Sequence, residues 1–593
     1  MISPCIDRCI KIAVSGLAIL FIWLSFNSPV NWDQANFYGA AETLVHSGTL
    51  RFNVSENTGE EIGLWHPPLY IYLMALSFKI FGVNLISARL VGAISLIISL
   101  LLIRFILKSL YPEKYQDVFI IALLLTGLSP YVIQGTVLLD IDNTILTTLM
   151  LLFLYIYIRH VCLSSGFMCH LLLALLFAIL LWAKFTTPFI IPVSIFIYHV
   201  INKRIKLALH GLFTIGGIGI IVFLLSFWVY CHYLNLPFEM AVHRNLNIAG
   251  GALFGFPDKA YEIIKRIGNF SFWLSPFYIV LLIINLIWWV RRYLLPNPDH
   301  PVNFIYLIAY LSFLGYLLIR MDAYYYPRYV FPSVILINLL ISEMVHNYTL
   351  ARFEITTRMW LIIIGIILLS AMFYLIFLKD PLLEFNNLKR TLSRDSIPGV
   401  IKRLLVIISI YLIPLVICAI ILKFRNFKIE IFQSLCSFRM TEESVILSEA
   451  KNLILILLIS GTIASNMNLN IVQARADYSR TYFYGESGFW ETVRFLKDNL
   501  KDDEFFASRN LDLAVMSGKR YYFFDRFHPE NLSGILKDSD IDYLVLRDEF
   551  YHDGMTSHNL FDDIMAKNGK VISENYTLVA RYGFFRIYKK IKQ

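Results

Sequence analysis

The chain has 593 residues, 57% of them hydrophobic and 16% charged, with a mean hydropathy of +0.62. Soluble domains run nearer a quarter charged, so an ordinary soluble enzyme is excluded. The formal net charge is +9, yet from Ile471 onward 18 Lys and Arg face 19 Asp and Glu; the excess cations sit at the ends of apolar runs, which argues against a nucleic-acid partner.

Those apolar runs predict a polytopic helical membrane protein, since a hydrocarbon core needs ~20 apolar residues per helix. In chain order, spans are expected at Ile10–Phe26, Leu85–Leu107, Val118–Gln134, Thr144–Ile158, Phe167–Ala183, Pro188–Ile201 and Leu207–Tyr230. Others follow at Phe272–Val290, Phe304–Ile319, Tyr329–Val345, Met359–Leu378, Leu404–Leu422 and Leu453–Ala464, about thirteen in all. Arg8 and Lys11 before the first run resemble a signal peptide. No small-residue cleavage site follows, so the run reads as a retained helix.

Short cytoplasmic loops carry the Lys and Arg excess. With the N-terminus inside, the clusters at Arg104, Lys108 and Lys114, at Arg159, at Lys203 to Lys206, at Arg291 and Arg292, and at Lys423 to Lys428 all fall inside. This holds on one condition: "PPLYIYLMALSFKIFG" must not span. It suits an interfacial or re-entrant helix, and the region 27–83 becomes a first external loop.

An odd number of spans places the tail, 471–593, outside. It is charged and aromatic, with a helical "GFWETVRFLKDNL", a buried strand "DYLVLRD" and an amphipathic strand "RYGFFRIYKK", which together predict a small α/β domain. The membrane domain is then 1–470. The seven cysteines form no CxxC pair and none lies in the tail, so neither a disulfide framework nor a zinc motif is indicated. Signatures of an ATPase, a serine hydrolase and a zinc protease are absent from the sequence.

On this topology the outer ends collect polar residues: Asp33 and Gln34 after the first span, His66 before Pro67-Pro68, Asp140 and Asp142 in "LLDIDNT", and Lys184 in "WAKFTTP". His243 and Arg244 follow the seventh span, and Arg320, Asp322, Arg328 and Tyr329 lie in "RMDAYYYPRY". Singly, each has a plain structural reading: a helix cap, a solvated loop residue, a helix start, or a snorkelling Arg in an aromatic belt. Lys184 resists it, because a tight turn between apolar helices is a poor place for a solvated charge. Together, carboxylates among cations suit a lipid-linked phosphate substrate, with the cations holding leaving-group charge and a carboxylate taking a hydroxyl proton.

The acid after the first span, "HPPLY" followed by "FG" and "AR", the Asp after the third span, the "KFTTP" turn and the late "RY" with its prolines form an ordered set. That set resembles the GT-C superfamily of membrane glycosyltransferases, nearest the protein O-mannosyltransferase and lipid A aminoarabinose transferase group. The resemblance implies a GT-C fold in the cell inner (plasma) membrane, a polyprenyl-phosphate sugar donor, and a protein, lipid or glycan acceptor. It implies Asp33 as base and Asp140 or Asp142 as the second acid. Lys184, Arg328 and Tyr329 would lie near the donor path, with Gln34, His66, His243 and Arg244 as further substrate contacts. Gln34 stands where the family often has Glu, and His66 where some members have Lys. Some relatives use a divalent cation and others do not; the sequence shows no clear ligand set. A lipid-linked glycan flippase, or a glycan polymerase or ligase, is the rival reading; no matching halves with broken helices point to a transporter.

Overall fold

A computed structural model describes residues 4–26, 30, 32–48, 67–161, 167–234, 273–319, 327–347, 458–467, 488–523, 541–548, 550–553 and 556–591, with scattered positions at 237–243, 263–270, 398, 455, 470 and 532–536. By contact the chain forms two compact units. The first takes Met1–Ser25, Gly92–Val137 and Ile141–Ala474; the second takes Phe26–Val91, Leu138–Asp140 and Arg475–Gln593.

The first unit is helical throughout its described part. It holds α1 (Pro4–Ser25), most of α4 (Leu85–Leu110), α5 (Tyr115–Gly127), α6 (Pro130–Val137), α7 (Thr147–Ile156) and α8 (Phe167–Ala183). After them come α9 (Ile190–Ile201), α10 (Ile205–Gly211), α11 (Ile218–Tyr233), α12 (Pro276–Trp289), α13 (Val302–Ile319) and α14 (Phe331–Val345). A helix that is apolar all round belongs in the interior, and every residue of α14 is buried. Its one amide, Asn338, accepts from the Tyr278 hydroxyl at 2.7 Å and donates to Thr126 Oγ1 at 3.2 Å, so polar groups tie α14 to α12 and α5.

Val118–Gln134 is not the single straight span the apolar run predicts. The helix breaks after Gly127 and restarts at Pro130, bent by 65°, because Pro130 cannot donate into the preceding turn. α4 and α6 then pack backbone to backbone: a Cβ on Gly92 would strike the carbonyl oxygen of Thr136. Among the described residues four helices are long and apolar enough to cross a membrane, Leu85–Leu110, Ile205–Tyr233, Phe277–Leu294 and Arg328–Val345, or five if the bent pair is one span. Met359–Leu378 and Leu404–Leu422 lie outside the described residues.

The second unit opens with α2 (Trp32–Ser47) and α3 (Leu69–Phe81), which pack together through aromatic edges. Phe37 meets Tyr70 with ring centroids 5.5 Å apart, and Tyr38 meets Phe78 at 5.1 Å. Gly82 ends α3 at φ +83°, a conformation side chains rarely adopt. Asn84 then caps α4, accepting from the Ser87 N–H at 2.9 Å, and Ser77 of α3 donates to the Ser87 carbonyl at 2.6 Å.

The tail carries a five-stranded sheet in the order β2-β1-β3-β7-β6: β1 (Phe506–Ser508), β2 (Tyr521–Phe523), β3 (Tyr543–Arg547), β6 (Tyr576–Tyr582) and β7 (Phe585–Lys590). β1 runs parallel to β2 and β3, whereas β7 is antiparallel to β3 and β6. β4 (Phe550–Asp553) and β5 (Thr556–Asn559) form a separate pair. Ala507, Leu544 and Leu546 bury one sheet face against Phe561, Ile564 and Ile572 of an amphipathic helix, Leu560–Asn575. Two further helices, α15 (Phe489–Asn499) and α16 (Leu511–Ser517), belong to the same domain; Phe489 of α15 meets Phe585 of β7 with ring centroids 6.2 Å apart. "DYLVLRD" contains the buried strand expected of it. "RYGFFRIYKK" does not form one strand: it is the β6–β7 hairpin, turned at Gly583 and Phe584, and alternation alone cannot show where a strand folds back.

Candidate functional site

Two buried polar constellations form, one in each unit. In the first unit the α8 helix stops at Ala183, and Lys184 N–H closes it on the Leu180 carbonyl at 2.9 Å. Its ammonium reaches the turn Asp142–Leu146, a wide helical turn that opens α7, and donates to both carboxylate oxygens of Asp142 at 2.6 and 2.5 Å. Both residues are buried, at 8% and 2% exposure.

Aromatic rings complete this cage. The Lys184 ammonium stands 4.2 Å from the ring centre of Tyr329 and 5.9 Å from that of Tyr316, and the two rings stack at 5.5 Å. Tyr316, from α13, is hydrogen-bonded to Thr187 in the turn after Lys184. Arg328 places its guanidinium 5.1 Å from the same Tyr329 ring and donates to the Tyr329 hydroxyl at 3.2 Å. The Tyr131 hydroxyl of α6 donates to the Pro327 carbonyl at 2.7 Å, fixing the backbone before Arg328. Among the described residues two cations and one carboxylate gather around the stacked tyrosines, and cations held over tyrosine faces are groups of the kind that bind a phosphate. Beside it, Asn143 is buried with neither side-chain polar atom hydrogen-bonded. Such an amide costs free energy until something pairs with it.

In the second unit Gln34, in the first turn of α2, is buried, and its Oε1 accepts from the Leu139 N–H at 3.3 Å, which ties α2 to the short stretch 138–140. Asp140 and Arg89 are buried there too, and Arg89 donates to the Phe26 carbonyl. Burial pushes the Tyr70 hydroxyl well above its ordinary range; the Asp140 charge adds to this and the Arg89 charge opposes it.

The sequence-predicted residues therefore divide. Asp142, Lys184, Arg328 and Tyr329 come together, and Gln34 and Asp140 belong to the second constellation. Asp33 is the second residue of α2, and its side chain is not described. His243 is exposed. His66, Arg244, Arg320 and Asp322 lie outside the described residues. Asn143, Tyr316 and Thr187 join the site without having been singled out; only the "TTP" after Lys184 hinted at Thr187. Arg89 was visible as part of the "AR" motif but without a partner. Among the described residues no three His, Cys, Asp or Glu side chains group as metal ligands, and an ammonium already engages both oxygens of Asp142.

Residues 65–230 match the family model described as dolichyl-phosphate-mannose-protein mannosyltransferase. No curated protein matches the sequence significantly. Among solved structures, the chain is similar to ArnT from Cupriavidus metallidurans bound to undecaprenyl phosphate, with 11% identity over 98% of each chain and a TM-score of 0.58. The apo form of that protein gives 13% identity, the same coverage and a TM-score of 0.56. The Archaeoglobus fulgidus oligosaccharyltransferase tethered with an acceptor peptide is matched at 11% identity over 98% of this chain and 74% of that one, with a TM-score of 0.43. The shared architecture with ArnT, helical with a small C-terminal sheet, is the GT-C fold expected from the sequence.

Proposed function

We propose that this chain, a membrane glycosyltransferase of the GT-C superfamily, moves a sugar from a polyprenyl-phosphate donor to an acceptor hydroxyl on the extracytoplasmic face. The observation that carries the reading is the buried Asp142–Lys184 pair with Arg328 and the stacked tyrosines: a cluster of phosphate-binding side chains inside a fold shared with a protein whose structure holds undecaprenyl phosphate.

In this mechanism the acceptor oxygen attacks the anomeric carbon as the bond from that carbon to the phosphate oxygen breaks, with inversion. The acceptor proton passes to the Asp33 carboxylate, and polyprenyl phosphate leaves with the bonding pair. Arg328 and Lys184 meet the charge that grows on the phosphate, Asp142 holds the Lys184 ammonium in place, and Asn143 offers its amide to the donor. Asp140 or Asp142 is the second acid, and the Asp140 charge acts on the buried Tyr70 hydroxyl. His66, His243 and Arg244 are further substrate contacts. The acceptor is a protein, lipid or glycan hydroxyl.

The architecture that goes with this reading has thirteen spans in the cell inner membrane, a membrane domain at 1–470 and the tail 471–593 outside. The test is transfer by purified protein from a panel of polyprenyl-phosphate sugars, read as release of polyprenyl phosphate. Replacing Asp33→Asn is expected to slow transfer by about a hundredfold or more, the usual worth of a general base. Transfer at the unmodified rate would remove Asp33 from the mechanism.

A further inference from the structure

The tail domain reaches α2, the helix that carries Asp33. α2 packs against α16 as well as against α3, and all three belong to one compact unit. Glu42 lies in the second half of α2. Burial raises the hydroxyls of two tyrosines, Tyr38 one turn back on α2 and Tyr521 at the start of β2 in the tail, and the Glu42 charge adds to the rise in both. Burial in turn pushes the Glu42 carboxyl up, opposed by the neighbouring His46.

Helical geometry gives this junction its meaning. Glu42 follows Asp33 by about two and a half turns, so it lies on the face of α2 opposite the Asp33 position. Tyr38, one turn from Glu42, also packs on Phe78 of α3. At the N-terminal end, Gln34 fixes the same helix to the backbone of Leu139. α2 is thus held by Gln34 at its first turn, by its packing on α3, and by α16 of the tail.

We infer that the tail is a positioning element of the transfer site: α16, packed against α2, sets the axial position and rotation of that helix and hence of Asp33. This rests on the reading of Asp33 as base. A displacement of about 1 Å at a reacting group is enough to cost up to a hundredfold in rate, so the tail contact registers in kcat without any tail residue touching substrate.

The experiment is a double-mutant cycle on the full chain with a polyprenyl-phosphate sugar donor. Tyr521→Leu, which removes the ring but keeps an apolar side chain, is expected to lower kcat about tenfold or more with the donor KM within twofold. Tyr521→Phe keeps the ring and is expected to stay near the unmodified rate. In an Asp33→Asn background, Tyr521→Leu is expected to add little further loss, because the group it positions is gone. An equal loss in both backgrounds, a change confined to KM, or an unaltered kcat for Tyr521→Leu would overturn the positioning role. If Asp33→Asn itself leaves transfer intact, the base reading fails instead. Should Tyr521→Leu not fold, Glu42→Gln in the same cycle reads the junction from the α2 side, with the same expected and overturning results.

Discussion

Lys184 and Asp142 are 42 positions apart in the chain and meet at 2.5 Å in the interior. Burying an ammonium without a partner costs several kcal/mol, so the pair is held together by what each would suffer alone. Lys184→Met is therefore expected to destabilise the protein by about 3–5 kcal/mol, by taking from the buried Asp142 carboxylate the ammonium that engages both its oxygens. Combining it with Asp142→Leu is expected to recover most of that stability. Denaturant unfolding of the detergent-solubilised protein measures both, and a double variant no more stable than Lys184→Met would show that the pair is not what sets the cost. At this scale the sequence was half legible. A lysine in a tight turn between apolar helices is anomalous on sight, but nothing local says which acid answers it, because "LLDIDNT" offers Asp140 and Asp142 equally. Folding separates them: Asp142 goes to Lys184, and Asp140 to the unit that holds Arg89 and Tyr70. Asn143 and Tyr316 carried no signal at all, since a buried amide and a stacked ring look ordinary until their neighbours are known.

Elements were legible where one period dominates. The helices from Phe167 to Ala183 and from Phe489 to Asn499, and the strand in "DYLVLRD", are set by local pattern alone. The break at Pro130 and the hairpin at Gly583 were passed over because uninterrupted apolarity, or alternation, hides a change of direction. In the tail, α16 brings a testable charge. Burial raises the Asp512 carboxyl to about 6, against the Arg547 charge and backbone N–H groups that draw it down. The folded pKa exceeds the unfolded one, so the contribution to stability is complete below about pH 4 and is lost as pH rises through about 6. The loss is roughly 3 kcal/mol. Hydrogen-exchange protection of β1 and β3, corrected for intrinsic rates, is expected to fall between pH 4 and 6.5 in the unmodified protein and to stay level in Asp512→Asn. Equal pH dependence in both would assign the effect elsewhere.

For the whole molecule, the charge alternation makes a claim that hydropathy does not. It requires α3 to stay out of the bilayer core, and α3 is a 13-residue helix with Lys79 in its last turn, short for a crossing. Single cysteines at position 75 and in the tail, reacted with an impermeant thiol reagent from either side, are expected to label from the outside. A position 75 shielded deep in the bilayer, or a tail reached from the cytoplasm, would reverse the topology and with it the face on which transfer occurs.

The second unit is made from stretches near both ends of the chain, with α2 emerging early and α16 hundreds of residues later. At roughly 5–20 residues per second of synthesis, α2 waits on the order of half a minute or more before its partner exists. For that interval α2 has its packing on α3 and the Gln34 bond to Leu139, and nothing yet from the tail. Translation order therefore puts the fastening of the acid-bearing helix last, and a ribosome stalled before Leu511 leaves behind a chain whose membrane helices are made but whose α2 has nothing from the tail to hold it.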